Sequence, residues 1–166
     1  MKQILLMRHA KSSWENEGLS DHDRPLNDRG ARAALAMGQF LLSKNLVPQQ
    51  VLSSDSVRTR QTIEHMQESW NEDVAVEFRT ELYLASAKTY RDVIKHAKPG
   101  VETLMILGHN PGMESLVSRL SNVEQHFPTA AIAVIKVDVG ELFMAGTRMN
   151  QWQFEQVLRP KELGID

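Results

Sequence analysis

Two histidines stand where anion chemistry is easiest to build. His9 follows Arg8 at the end of the apolar run Ile4-Leu5-Leu6-Met7, and His109 follows Gly108 at the end of a second run, Thr103 to Leu107. A neutral imidazole nitrogen can attack phosphorus and carry the phosphoryl group covalently. Arg8 offers a planar fork that grips two phosphate oxygens and stays charged at any working pH. In Ser53-Ser54-Asp55-Ser56-Val57-Arg58-Thr59-Arg60-Gln61-Thr62, Arg58 falls in the first turn of an expected helix, where free N–H groups already favour anions. Arg58 and Thr62 share a face of that helix, whereas Arg60 reads as solvated. His109, in Gly108-His109-Asn110-Pro111-Gly112, could hydrogen-bond an equatorial phosphoryl oxygen as the group flattens in the transition state. Neighbouring guanidiniums would lower the pKa of His9 and keep it neutral. Its second ring nitrogen needs an acceptor, such as a backbone carbonyl, to fix the tautomer.

These residues can meet only if the apolar runs are strands of one sheet with a shared C-terminal edge, which is where open α/β sheets bind ligands. Apolar runs alternate with helical patterns along the chain, as in β-α-β units. Strands are expected at residues 2–7, 50–53, 74–78 (weaker, at a sheet edge), 103–107, 131–137 and 149–158, the last two as antiparallel neighbours. Helices are expected over 28–44, capped by Asn27 or Asp28, and over 56–70, 87–97 and 112–121. Residues 11–26 are polar and aperiodic and read as a long loop over the sheet edge; the last few residues read as frayed. Residues 1–166 are expected to form a single domain.

The 166 residues are 42% hydrophobic and 24% charged, an ordinary globular composition. With a formal net charge of −2, no global positive field would hold a nucleic acid, so anion binding must come from a local cluster. No run approaches the roughly 20 apolar residues of a membrane span. The N-terminal run is too short for a signal-peptide core, so the expected location is cytoplasmic. There is no cysteine, which excludes thiolate catalysis and disulfides. Neither a Walker loop nor a Gly-x-Gly-x-x-Gly motif is present. Asp21-His22-Asp23 has the outline of a metal-dependent motif, but no apolar strand precedes it. His22, His65, His96 and His126 lack zinc-site spacing, so no metal and no cofactor are expected.

Leu6-Met7-Arg8-His9-Ala10 resembles the Arg-His-Gly signature of the histidine phosphatase (phosphoglycerate-mutase-like) superfamily, with Ala10 in place of glycine. Ser54 to Thr62 is similar to its second arginine motif and Gly108-His109 to its second histidine motif. Arg8-His9-Ala10-Lys11-Ser12-Ser13-Trp14, Asp21 to Leu26 with Gly30, and Phe127 to Ala133 resemble phosphohistidine phosphatases of the SixA type. The resemblance implies a three-layer α/β/α sandwich with a mostly parallel central sheet. It implies His9 as nucleophile, with Arg8, Arg58 and His109 around the phosphate. Arg24 is then a further cation at the pocket mouth, and Lys11, Ser12 and Asn110 are rim contacts for substrate. Larger relatives protonate an oxygen leaving group with a carboxylic acid; Glu81 is the candidate here and Glu114 the second. The expected partners are inorganic phosphate and a phosphorylated protein, namely a phosphohistidine. A small phosphoester substrate, or a catalytically weak phosphate-binding module, is the alternative. Ala10 is tolerable if its φ is negative.

Overall fold

The computed structural model describes residues 1–165. Six strands form one sheet: β1 (Lys2–Arg8), β2 (Gln50–Ser54), β3 (Ala75–Arg79), β4 (Thr103–Gly108), β5 (Ile132–Val137) and β6 (Trp152–Leu158), in the spatial order β3-β2-β4-β1-β5-β6. Strands β3, β2, β4 and β1 run parallel, and β5 is antiparallel to both β1 and β6. The helices are α1 (Asp28–Ser43), α2 (Val57–Gln67), α3 (Ala87–Asp92) and α4 (Gly112–Ser121). The fold is thus the expected α/β sandwich with a mostly parallel sheet.

Strand β1 is apolar without alternation because helices cover both sides of the sheet. Ile4 and Leu6 join one core with Tyr90, Met113 and Val117 of α3 and α4. Leu5 and Met7 join the other, with Met37, Leu41 and Ile63 of α1 and α2. All four β1 side chains have no exposed surface; burying each contributes about 1.5–3 kcal/mol. The site therefore sits on one of the most firmly anchored strands. Asn27 caps α1, its Oδ1 accepting from Gly30 N at 2.7 Å.

The departures from the sequence reading have local causes. Strand β6 begins at Trp152 rather than at 149, because β5 ends at Val137, the partner of Trp152; Met149–Gln151 winds into a 3₁₀ turn instead. A register shift at Val134/Ile135 explains the uneven alternation of Phe154 and Val157. Helix α2 is shorter than 56–70, and α3 tightens into a 3₁₀ turn at Val93–His96, a common helix ending. The expected frayed end is folded through Ile165: Pro160–Leu163 forms a 3₁₀ turn, and Ile165 N donates to Pro160 O at 2.9 Å. The 11–26 loop is pinned at both ends. Asn27 N donates to Lys11 O, Ser13 N donates to Pro25 O, and Gly30 lies so close to Lys11 that a Cβ would meet its carbonyl oxygen at 2.1 Å. Among the described residues no helix is long and apolar enough to cross a membrane.

Candidate active site

Strand register brings the two histidines together. Arg8 of β1 lies beside Gly108 of β4, so the next residue of each strand leaves the sheet next to the other. His9 N donates to Gly108 O at 3.1 Å, and the ring centroids of His9 and His109 are 5.2 Å apart. Glycine is required at 108 because a Cβ there would lie 2.5 Å from the Tyr90 hydroxyl oxygen. That hydroxyl accepts from His109 N at 2.8 Å and donates to Leu82 O, fixing the turn after β4.

The hydrogen bonds define both tautomers. His9 Nδ1 lies 2.6 Å from Ala10 O, a carbonyl that can only accept, so Nδ1 carries the proton. His9 Nε2 then keeps its lone pair and accepts a long 3.3 Å bond from Arg58 Nε. His109 Nδ1 faces Arg58 Nη2 at 3.4 Å, and a guanidinium can only donate. The proton is therefore on His109 Nε2, which donates to Ser54 Oγ at 2.8 Å. Ala10 N donates to Thr62 Oγ1 at 3.0 Å, tying the turn after His9 to α2. Ala10 does not have a positive φ, so its methyl group is accommodated.

Burial is the main reason His9 is neutral, with Arg58, Arg8 and Arg24 adding to it; its pKa falls to about 3 although the Ala10 carbonyl pulls the other way. The guanidinium effect expected from sequence is real but is not the largest cause. His109 falls to about 2, through burial and then the charges of His9 and Arg58.

A cavity of about 360 Å³ opens above these rings, lined by Arg8, His9, Lys11, Ser12, Arg24 and Arg58, with His109 and Asn110 on its wall. Arg8 Nη1 donates to Phe127 O, while its buried Nε makes no hydrogen bond among the described residues. Arg24 is buried: Nη1 donates to Ser12 Oγ at 2.9 Å, and the guanidinium stacks 3.4 Å from the Trp14 ring. Asn110 links the rim to α4, donating to Phe127 O and accepting from Glu114 N.

Two sequence candidates do not join this group. Glu81 turns away: its Oε1 accepts from Arg79 Nε at 2.7 Å, and it lines a separate cavity with Arg79 and His96 at the β3 edge. Arg79, the last residue of β3, captures the carboxylate before it can reach the sheet centre. Glu114 does not line the His9 cavity either; its Oε2 accepts from Phe127 N at 2.9 Å and holds the 127–130 segment.

Sequence reasoning missed four residues. Asp21 lines the cavity, its Oδ1 accepting from Arg24 Nε at 3.2 Å and its Oδ2 accepting from Arg58 Nη2 at 3.0 Å and from the Tyr83 hydroxyl. The Tyr83 hydroxyl, then Arg58 and Arg24, hold its carboxyl at about 2 against burial, which acts the other way. Tyr83 packs edge-on to His109, with centroids 5.3 Å apart. Ser54 and Tyr90 complete the set by orienting His109. Ser54 has a signal in its place inside the second arginine motif, and Asp21 in the Asp21–Leu26 stretch, but neither signal gives the residue a role at the site. Among the described residues no group of three or more His, Cys, Asp or Glu side chains could hold a metal ion.

Residues 4–83 match the histidine phosphatase superfamily (branch 1). An uncharacterized chloroplastic protein of Arabidopsis thaliana is 32% identical over 96% of this chain and 78% of its own length. The phosphohistidine phosphatase SixA of Escherichia coli is 27% identical over 82% of this chain and 86% of its own. A candidate phosphohistidine phosphatase SixA from Agrobacterium tumefaciens, solved by crystallography, superposes with a TM-score of 0.79 at 28% identity, covering 96% of this chain and 98% of that one. The chain belongs to the histidine phosphatase superfamily. Its fold is that of the SixA structures, and the family assignment supports phosphatase activity.

Proposed function

We propose that the protein hydrolyses a phosphoryl group from a phosphohistidine side chain of another protein, through a covalent phosphohistidine at His9. His9 Nε2 carries the lone pair and faces the cationic cavity, so it is the atom that attacks phosphorus. As its bond to phosphorus forms, the P–N bond of the substrate breaks and the substrate's imidazole leaves, taking a proton from solvent. Arg8, Arg24 and Arg58 bind the phosphoryl oxygens, Arg8 with a buried donor to spare. The arriving anion raises the pKa of His109, which then takes a proton at Nδ1 and donates it in a hydrogen bond while Nε2 stays on Ser54. Water next attacks phospho-His9, the P–N bond breaks, and inorganic phosphate leaves with His9 regenerated. Lys11, Ser12 and Asn110 contact the substrate at the rim.

The observation that carries the substrate class is the state of Asp21. It is the carboxyl group at the cavity, and it is held ionised by Tyr83, Arg58 and Arg24, so it has no proton to give a leaving alkoxide. An imidazole leaves more readily than an alkoxide and makes less demand for such an acid. A cytoplasmic location is part of the same reading.

The test is a substrate panel. A phosphohistidine peptide should be turned over at least tenfold faster in kcat/KM than phosphoserine or phosphotyrosine peptides of the same sequence or a set of sugar phosphates. A sugar phosphate turned over as well as the phosphohistidine peptide would sink the assignment.

A further inference from the structure

The catalytic cavity has a cationic neighbour. A second cavity, of about 210 Å³, is lined by Lys11, Arg29 and Lys161 around Ala33, Pro128 and Pro160. Lys11 and Thr129 line both, so the two cavities adjoin. The three cations come from separate segments: the start of the 11–26 loop, the first turn of α1 and the 3₁₀ turn Pro160–Leu163. Each backbone is pinned, Lys11 through its carbonyl to Asn27 N and the Pro160 turn through Ile165 N, while the three side chains are exposed.

Some surface cations are engaged by carboxylates, such as Lys88 with Asp92, Lys136 with Glu155 and Arg159 with Glu162, and others are not; what sets Lys11, Arg29 and Lys161 apart is that they line one hollow. Among the described residues Lys11, Arg29 and Lys161 make no ion pair within the same 4.0 Å reach. Asp28 and Glu162 are their sequence neighbours, yet neither lines the cavity. In a chain of net charge −2, three like charges around one hollow are a local feature and do not follow from bulk composition. Holding them together costs repulsion, which an anionic ligand would relieve.

We infer that this cavity is a docking site for an acidic stretch of the phosphoprotein substrate, beside its phosphohistidine. The inference rests on the reading under Proposed function and adds to it a charge requirement on the substrate. An extended peptide advances about 3.3 Å per residue, so carboxylates a few residues from the phosphohistidine reach the Lys11 side while the phosphoryl group sits on His9. Two flexible ammonium heads and one guanidinium, on fixed backbone, suit carboxylates in varied geometry, and the contact acts on capture of the substrate more than on the chemical step.

The experiment compares two phosphohistidine peptides, identical except that one carries three Asp or Glu residues beside the phosphohistidine and the other the matching Asn or Gln. Wild type should show a KM about tenfold lower for the acidic peptide at low salt, with kcat equal for the two, and the difference should shrink as salt is raised. The double variant Arg29→Glu, Lys161→Glu should lose the preference while its kcat on phosphoramidate, too small to reach the second cavity, stays within twofold of wild type; that control also reports folding. Equal KM for the two peptides in wild type, or a preference that survives the double variant, overturns the docking site and leaves the phosphohistidine reading standing. Failure to turn over either peptide, with a phosphoserine or sugar phosphate hydrolysed instead, overturns both.

Discussion

Arg58 and Arg79 sit near the same edge of the sheet and both meet a histidine and a carboxylate, yet they build opposite environments. Arg79 is surrounded by acid: Nη1 pairs with Glu77, Nε pairs with Glu81, and Nη2 meets His96 Nε2 at 3.0 Å. One guanidinium faces two carboxylates there, and the Glu77 and Glu81 side chains remain 44% and 43% exposed. Around His9, Arg8, Arg24 and Arg58 share one cavity carboxylate, Asp21, and both histidines are buried and neutral. The same residue types therefore make an edge ion-pair cluster in one place and a buried, cation-rich cavity in the other. The difference lies in burial and in the unspent positive charge.

Arginine deletion should expose that contrast most strongly. Arg58→Ala should lower kcat on the order of a hundredfold to a thousandfold, as loss of one transition-state donor does; Arg79→Ala should leave kcat within threefold. A steady-state comparison of the two variants checks this, and similar losses in both would erase the distinction. Glu81 sharpens it further. Because Arg79 holds its carboxylate at the other cavity, Glu81→Gln should keep kcat within twofold of wild type. A hundredfold loss in the same assay would restore Glu81 as the general acid.

The pH dependence separates the two regions as well. His9 is neutral in the folded protein down to about 3, below the ordinary 6.5. Phosphoenzyme formation should therefore persist through pH 5, and a rate profile with its acid limb at 6.5 or above would contradict the buried, cation-ringed site. For stability the sign is as follows: between about 3 and 6.5 the unfolded chain binds protons on His9 and His109 that the native chain refuses. Native stability is thus greatest from this source above 6.5 and declines as pH falls toward 3. Denaturant titrations at pH 7 and pH 5 should show this decline, and it should be smaller in a His9→Gln variant. The smallest effect belongs to the scaffold: Tyr90→Phe leaves His109 N without its acceptor and should cost about 1–3 kcal/mol by the same titration.

Much of this was legible in the chain because it depends on local pattern. Two apolar runs ending in histidine gave adjacent parallel strands, and the placement of Arg58 in the first turn after a strand end followed from turn and helix signals. Asn27 was legible as a cap for the same reason. Asp21's contacts were not: Asp21-His22-Asp23 has the outline of a metal motif and Asp21 to Leu26 resembles a family stretch, and neither reading says which arginine the carboxylate meets. Its place at Arg58 and Tyr83 is set by the path of the 11–26 loop over the sheet edge, and by contacts spanning 37 and 62 residues. Glu81 misled for the complementary reason. Its position after a strand was read correctly, but the direction of its side chain is decided by the competing Arg79. Tyr90 carried a helical core pattern, and nothing local marks a buried hydroxyl that reaches 19 residues onward to His109 N.

The most direct measurement is to react the protein with a labelled phosphoryl donor, quench it, and locate the label by peptide mapping. Acid-labile label on the peptide containing His9, absent in His9→Ala together with turnover, is the expected result. Label on any other residue, or full turnover by His9→Ala, would contradict a phosphoryl transfer through His9.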